Sequence, residues 1–270
     1  MEGLQHKFDL LKEALIGYGR VAVAFSAGVD STLLLKVAYD VLGENVLAVT
    51  ASMPVSPTAE QGEAAAFCRL EGVEHVVYPF DQLSDVPGFS ENPENRCYLC
   101  KRALFARVVS LAQERGIAHV ADGTNVDDMA VYRPGVKALE ELGVESPLRD
   151  AGFTKDDIRA LSRQLGLPTW DKPSAPCLAT RFPYGARIEP EMLRRIEAAE
   201  LHLTQKGFSD VRVRVFGGNV RVEVSQTQVP SLMQLDAEGE LSAFMTGLGF
   251  DSVSVDPLGY RSGSMDEGAS

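Results

Sequence analysis

The sequence predicts an α/β protein: a parallel sheet with helices on both faces, followed by a small α+β domain. Three observations lead there. Apolar runs of strand length recur through the first half, each followed by a stretch with helical period. One of these units passes through a turn of small residues directly into a helix, between Val21 and Val41. Near Pro190 the pattern changes to a single helix and a hairpin of alternating valines. The boundaries expected are 1–170 for the first domain, 171–188 for a loop, 189–262 for the second domain and 263–270 for a disordered tail.

The first strand is Val21-Ala22-Val23-Ala24-Phe25, and Leu34, Val37, Ala38 and Val41 mark one face of the helix after it. Val46 to Thr50 reads as a second buried strand. A helix is expected from Thr58 to Leu70 and a short strand at Val76-Val77-Tyr78. Leu104, Phe105, Val108, Val109 and Ala112 give an apolar stripe to a helix from Arg102 to Ala112. The strand Ile117 to Ala121 ends at Asp122-Gly123-Thr124-Asn125. Ligands of such sheets bind beyond the carboxyl ends of the strands. The Ser26 loop, the Thr50–Ser52 turn and the Gly123 turn all fall there.

Thr154 caps a helix carrying Ile158, Leu161 and Leu165, which Gly166 and Pro168 end. From Asp171 to Arg187 the chain is irregular, and a long loop in a compact domain is functional or disordered. The second domain opens with a helix bearing Met192, Leu193, Ile196, Ala199 and Leu203. Val211, Val213 and Val215 then alternate, Gly217-Gly218-Asn219 turns, and Val220, Val222 and Val224 alternate back. The opposite hairpin face carries Arg212, Arg214, Arg221 and Glu223, suited to an active site or to a contact between copies of the chain. A homo-oligomer is expected.

Composition narrows the function. The 270 residues are 45% hydrophobic and 24% charged, which is ordinary for a soluble globular protein. No apolar run approaches the roughly 20 residues that cross a bilayer. The first residues lack a basic segment followed by an apolar one, so a cytoplasmic protein with no membrane partner is expected. A net charge of −12 disfavours a broad phosphate-backbone footprint, and hence a nucleic-acid partner. Four cysteines in a reducing compartment point to metal or catalytic use rather than disulfides.

Ser26-Ala27-Gly28-Val29-Asp30-Ser31 carries the most chemistry. A turn of small residues at a helix N-terminus aims backbone N–H groups at an anion. Ser26, Gly28, Val29, Asp30 and Ser31 are therefore candidates for holding phosphates. A phosphate site tolerates the Asp30 carboxylate only if it holds Mg²⁺ or meets a donor. The loop has no Walker-type lysine. The bland alternative is an ordinary strand–helix turn. The loop resembles the PP-loop of the ATP pyrophosphatases, written S-G-G-x-D-S, which holds the pyrophosphate that leaves when a substrate oxygen attacks the α-phosphorus. Ala27 departs from that pattern. Its methyl group is harmless at negative φ and awkward at positive φ.

Cys97-Tyr98-Leu99-Cys100 is a C-x-x-C pair placed just ahead of the expected Arg102 helix. Such a pair can hold zinc, ligate an iron–sulfur cluster or cycle as a dithiol. It comes too late in the sheet for a thioredoxin-like site. Cys68 reads as a core residue, while Cys177 lies in the Pro-rich loop with no packing reason to be there. Three thiols (Cys97, Cys100 and Cys177) suit a [4Fe–4S] cluster with one open iron, whereas closed structural zinc would want a fourth ligand. Three unrelated thiols is the alternative.

The stretch from Trp170-Asp171-Lys172-Pro173 through Cys177-Leu178-Ala179-Thr180-Arg181-Phe182-Pro183-Tyr184-Gly185 resembles the signature of the LarE family. So do Asp122 to Asp128, Tyr132-Arg133-Pro134-Gly135, Val211-Arg212-Val213-Arg214 and Gly259-Tyr260-Arg261. The likeness runs from about Leu10 to Ser262. It implies a PP-loop sulfurtransferase in which ATP adenylates a carboxylate of a pyridinium-3,5-dicarboxylate mononucleotide and sulfur then displaces AMP. In one branch a cysteine matching Cys177 gives up its own sulfur. In another, three cysteines hold a [4Fe–4S] cluster that delivers sulfide, and the extra Cys97 and Cys100 point to that branch. The resemblance also implies ATP with Mg²⁺ on Asp30, and Ser52, Gly123, Asn125 and Asp128 beside the nucleotide. Arg181, Arg187, Arg214 and Arg261 suit the substrate's phosphate and second carboxylate, for which a guanidinium fork is matched. Lys172 and Arg181 are expected to favour the Cys177 thiolate. None of the four histidines has ligand-like spacing. The alternatives are a tRNA 2-thiolation enzyme, an amide-forming PP-loop ligase, and a non-catalytic nucleotide or zinc module.

Overall fold

The computed structural model describes residues 2–56, 58–129, 134–173 and 176–261. The expected tail, and Tyr132, Arg133, Ser174, Ala175 and Ser262 of the signature segments, lie outside the described residues. The chain divides into two compact units, one of Met1–Val86 with Asn95–Ala175 and the other of Pro87–Glu94 with Pro176–Ser270.

Unit 1 contains a four-stranded parallel sheet. Its strands are β1 (Val21–Ala24), β2 (Val46–Ser52), β3 (Glu74–Pro79) and β4 (His119–Ala121), in the order β3-β2-β1-β4. Val21 is level with Val46 on one side and His119 on the other. The central strands are apolar on both faces because helices cover both, and Val21, Ala22 and Val23 are fully buried. The helices are α1 (Glu2–Tyr18), α2 (Val29–Leu42), α3 (Thr58–Glu71), the short α4 (Gln82–Asp85), α5 (Arg96–Gln113), α6 (Pro134–Glu141), the short α7 (Pro147–Asp150) and α8 (Lys155–Gln164). Leu11 and Leu15 of α1 join Leu33, Leu34 and Val37 of α2 and Ile158 and Leu161 of α8 in one core beside β1. Cys68 is in that core, where burial pushes its thiol up to about 12, so it is a packing residue.

Strand order decides where a ligand can sit. From β1 the chain steps outward to β2 and β3, then returns to place β4 on the other flank of β1. The order reverses between β1 and β4, and the connections leaving those two strands diverge to leave a crevice. The Ser26 loop follows β1 and the Asp122 turn follows β4.

Unit 2 carries α9 (Pro190–Gln205), β5 (Arg212–Phe216), β6 (Asn219–Glu223), α10 (Val229–Ala237), α11 (Glu240–Gly247) and β7 (Ser252–Val255). The hairpin is as the alternation predicts, with Val213 opposite Val222 and Arg214 opposite Arg221. The structure adds β7, which runs parallel to β6 after the α10–α11 crossover.

Two differences from the sequence reading concern the site. First, α5 begins at Arg96, so the C-x-x-C pair is inside the first turns of the helix rather than ahead of it. No Gly or Pro interrupts 96–113, and nothing delays the start to Arg102. Second, Pro87–Glu94 belongs to unit 2. Asn92, in the left-handed region at φ 53°, donates from Nδ2 to Pro183 O at 2.7 Å and accepts the Gly185 N–H at 2.9 Å. Ile188 N–H donates to Ser90 O at 2.8 Å. These bonds link residues about 90 apart, beyond the reach of any periodicity argument.

Candidate active site

The Ser26–Ser31 loop in unit 1 is closed on itself by its two serines. Ser26 N–H donates to Ser31 Oγ at 3.3 Å, and the two hydroxyl oxygens are 3.2 Å apart. Gly28 is the N-cap of α2, with extended backbone, and its carbonyl accepts the Thr32 N–H at 2.9 Å. The N–H groups of the next residues are the first-turn donors that a helix cannot satisfy internally. Ala27 adopts φ 55° and is buried. It has the positive φ at which a methyl group is awkward, with a strain of about 1–2 kcal/mol.

The turn after β4 comes close against this loop. A methyl group built on Gly123 would lie 3.0 Å from Ser31 N and 3.2 Å from Asp30 Cβ, so glycine alone fits without displacing the start of α2. Buried Asp122 shapes the turn, accepting from Ser146 Oγ at 2.7 Å and Thr124 Oγ1 at 2.5 Å. Asn125 reaches across, donating from Nδ2 to Asp30 Oδ1 at 3.2 Å. Asp128 accepts the Asn125 N–H at 3.1 Å, and Asp127 accepts the Lys155 N–H at 2.7 Å. Asp128 thus closes its own turn, and Asp127 ties that turn to the start of α8. Ser52 is half-buried at the end of β2.

Asp30 meets a donor. Lys155 Nζ is 2.7 and 2.5 Å from its two carboxylate oxygens. Sequence reasoning passed over Lys155, although a signal was present. It is the first residue of α8, after the Thr154 cap and its capping box with Asp157. A cation there opposes the helix dipole, and a residue in a locally unfavourable place invites a search for its partner. Lys172 is also placed differently from expectation. Its ammonium donates to Ala27 O at 3.0 Å and pairs with Glu63, so it holds the Ser26–Ser31 loop.

In unit 2, Cys177 precedes a 3₁₀ turn, Leu178–Arg181, and is half-buried. Its carbonyl accepts from Thr180 N–H at 3.0 Å and from Thr180 Oγ1 at 2.8 Å. Arg181 and Arg214, expected to meet the substrate, are both buried. Arg181 makes a two-pronged pair with Glu200 at 2.7 and 2.8 Å and donates to Pro176 O at 3.1 Å. Arg214 donates to Glu223 Oε2 at 2.8 and 3.0 Å and to Thr180 O at 3.0 Å. Both hold the Cys177 turn by its backbone. Arg212, also buried, lies over the Tyr260 ring at 4.8 Å. Burial and then the neighbouring Arg181 charge lower its pKa. Arg187 is exposed, and Arg261 is half-buried beside Asp256. Glu200, unmarked by any motif, also caps the edge of β5 by accepting the Val213 N–H at 2.8 Å.

Cys97 is exposed and Cys100 half-buried, three positions apart on one face of α5. Among the described residues, no group of three or more His, Cys, Asp or Glu side chains stands close enough to hold a metal ion. No described helix is long and apolar enough to cross a membrane.

No family model matches the chain. Individual relatives do match. It is 40% identical over 263 residues to an uncharacterised protein of Synechocystis sp., covering 97% of this chain and 98% of that one. It is 36% identical over 268 residues to the pyridinium-3,5-bisthiocarboxylic acid mononucleotide synthase of Lactiplantibacillus plantarum, covering 99% and 96%. The chain belongs to the LarE family. It is an enzyme of the ATP-dependent sulfurtransferase type, on a PP-loop α/β fold. A more distant relative marks the reach of the LarE fold. A glutamine-hydrolysing GMP synthase component of Thermoplasma volcanium is 30% identical over 181 residues, 61% of this chain and 57% of that protein. In the LarE family, ATP and Mg²⁺ are the implied co-reactants.

Proposed function

We propose that the chain adenylates a carboxylate of a pyridinium-3,5-dicarboxylate mononucleotide with ATP, releasing pyrophosphate, and then replaces AMP by sulfur to give a thiocarboxylate. The observation that carries the reading is the loop at the β1/β4 crevice. It offers first-turn N–H donors and two hydroxyls, has no Walker lysine, and brings Gly123 within touching distance. A carboxylate is a poor electrophile, and adenylation turns its oxygen into a good leaving group, which a sulfur nucleophile then displaces. The full-length likeness to the Lactiplantibacillus plantarum synthase supports the substrate.

The oxygen donors beside the loop suit a hard cation, and Asp30 is the residue that would hold Mg²⁺ once Lys155 is released from it. Gly28, Val29 and Ser31 bind the leaving pyrophosphate, with Ser26 closing the loop. Asn125 orients Asp30. Arg187 and Arg261 would meet a substrate anion, while Arg181 and Arg214 hold the backbone of the turn that carries Cys177. The sulfur arrives by one of two routes. Cys177 gives up its own sulfur, or Cys97, Cys100 and Cys177 hold a [4Fe–4S] cluster, which would supply sulfide at an open iron. The Cys97/Cys100 pair on one helix face favours the cluster. The adenylation and the sulfur step are chemistry of a small nucleotide, and the proposal includes no nucleic-acid partner; self-association is part of it.

The test is anaerobic turnover of purified protein with ATP, Mg²⁺, sulfide and the dicarboxylate mononucleotide. Pyrophosphate and AMP should appear only with the acceptor, and the product should gain mass by an oxygen-to-sulfur exchange. Bound iron with unchanged protein mass supports the cluster. Loss of the elements of H₂S from the Cys177 peptide supports sacrifice. Pyrophosphate formed with tRNA in place of the mononucleotide would sink the reading.

A further inference from the structure

The nucleotide loop and the chain segment that leads to Cys177 are tied together inside unit 1 by residues to which the reaction as described gives no part. Unit 1 ends at Ala175, and Cys177 is the second residue of the part of unit 2 that follows. Lys172, among the last described residues of unit 1, stands five positions before Cys177 in the chain. Trp170 and Lys172 are held from α8. Arg159 donates from Nη1 to Trp170 O and from Nη2 to Lys172 O, each at 2.9 Å. Lys172 in turn reaches the loop, with Nζ 3.0 Å from Ala27 O. Lys155, one turn before Arg159 on the same helix face, grips the loop's Asp30. Helix α8 thus holds the loop directly and the exit segment by its backbone, and Lys172 closes the circuit between them.

The atom that Lys172 contacts gives the circuit its meaning. Ala27 C=O and Gly28 N–H belong to one planar peptide unit and point to opposite sides of it. A cation on the carbonyl fixes the orientation of the unit and polarises the N–H on its far side. That N–H opens the phosphate cradle. The same peptide follows the one residue of the loop with positive φ, Ala27, where the backbone is strained and needs outside contacts to stay. Anything that turns this peptide toward an anion acts on Lys172, whose own carbonyl Arg159 holds together with that of Trp170.

We propose that Arg159 and Lys172 are positioning residues that couple occupancy of the nucleotide loop to the presentation of Cys177. The inference rests on the reading that the loop binds ATP. The probe is α,β-methylene-ATP with Mg²⁺, whose α–β bridge cannot be split. The readout is the rate of alkylation of Cys177 with and without the nucleotide, followed peptide by peptide by mass spectrometry, with nucleotide binding measured separately by calorimetry. In the unsubstituted protein the nucleotide should change the Cys177 rate about fivefold or more. Arg159→Gln should bind the analogue within about threefold of normal, yet reduce the response at Cys177 to less than about twofold. Lys172→Met should lose the response and also weaken binding about tenfold, because it removes a charged donor from the cradle peptide. Arg159→Lys, which can reach one of the two carbonyls, should give an intermediate response with unchanged melting temperature. A full nucleotide response in Arg159→Gln, or binding without any response in the unsubstituted protein, overturns the coupling alone. No binding of the analogue by the unsubstituted protein would overturn the ATP reading and the coupling with it.

Discussion

The Ser26–Ser31 loop and the Cys177 turn are both short turns, yet they are held by opposite means. Around the loop the charged contacts are partly open to water: the side chains of Asp30 and Lys155 are 23% and 36% exposed. Around the Cys177 turn they are closed: Arg181 and Arg214 are 3% and 5% exposed, and Glu223 is fully buried. A site that must admit a polyanion and its cation needs contacts that water and ligand can exchange. The Cys177 turn is instead held by buried guanidinium groups that pair with carboxylates and also donate to the backbone of the turn. Buried pairs add little net stability, because desolvation offsets attraction, but losing one member leaves the other charge stranded.

That contrast can be broken most sharply at Glu223. Glu223→Ala should strand Arg214 and destabilise unit 2 by about 3–5 kcal/mol. Urea unfolding followed on the isolated variant measures this, and a loss under about 1 kcal/mol would show the pair to be as exchangeable as the loop's. Lys155→Met is the corresponding change on the open side. Its stability cost should stay under about 1 kcal/mol, because the pair is solvated. ATP affinity should nevertheless fall about tenfold, since Asp30 would then face the phosphates unneutralised. Titration of ATP in the presence and absence of Mg²⁺ distinguishes this, with Mg²⁺ restoring part of the loss in the variant.

Ala27 sharpens the comparison from within the loop. Ala27→Gly relieves the positive φ but loosens the unfolded chain, and these oppose each other. A net gain of about 0.5–1 kcal/mol is expected in thermal unfolding. A net loss would mean that the buried methyl group packs better than the backbone is strained. The smallest effect belongs to His75, whose Nε2 lies 2.8 Å from Thr50 Oγ1 under the loop. Burial lowers its pKa below 6.5, so the folded protein binds fewer protons there than the unfolded chain. Its contribution is therefore complete above about pH 6.5 and is lost as pH falls toward the folded-state value. His75→Gln should flatten that part of the stability–pH curve, and an unchanged slope would assign the acid sensitivity to other groups.

Much of the first unit was legible from local pattern. The strand–turn–helix at Val21 to Val41, the Gly123 turn and the Thr154 cap are short-range features, and each appears where the residues put it. The start of α5 was misjudged because the stripe from Leu104 to Ala112 marks only the part of the helix that packs, while the exposed first turns carry no hydrophobic signal. Pro87–Glu94 was unreadable for a different reason. Its partners, Pro183 and Gly185, follow about 90 residues later, and no local rule connects them.

The sequence by itself determined the α/β class, the strand–turn–helix at Ser26–Ser31, the alternating hairpin and the resemblance to the LarE family, because all of these rest on residues near one another in the chain. Tertiary structure decided who neutralises whom. It gave Asp30 to Lys155, Lys172 to the Ala27 carbonyl, and Arg181 to Glu200. An arginine in a sequence is only a long cation, and the choice between substrate and backbone depends on which acceptor the fold brings within about 3 Å of it. Topology made that choice by reversing the strand order at β1/β4 and by burying both faces of β5, the arginines as well as the valines.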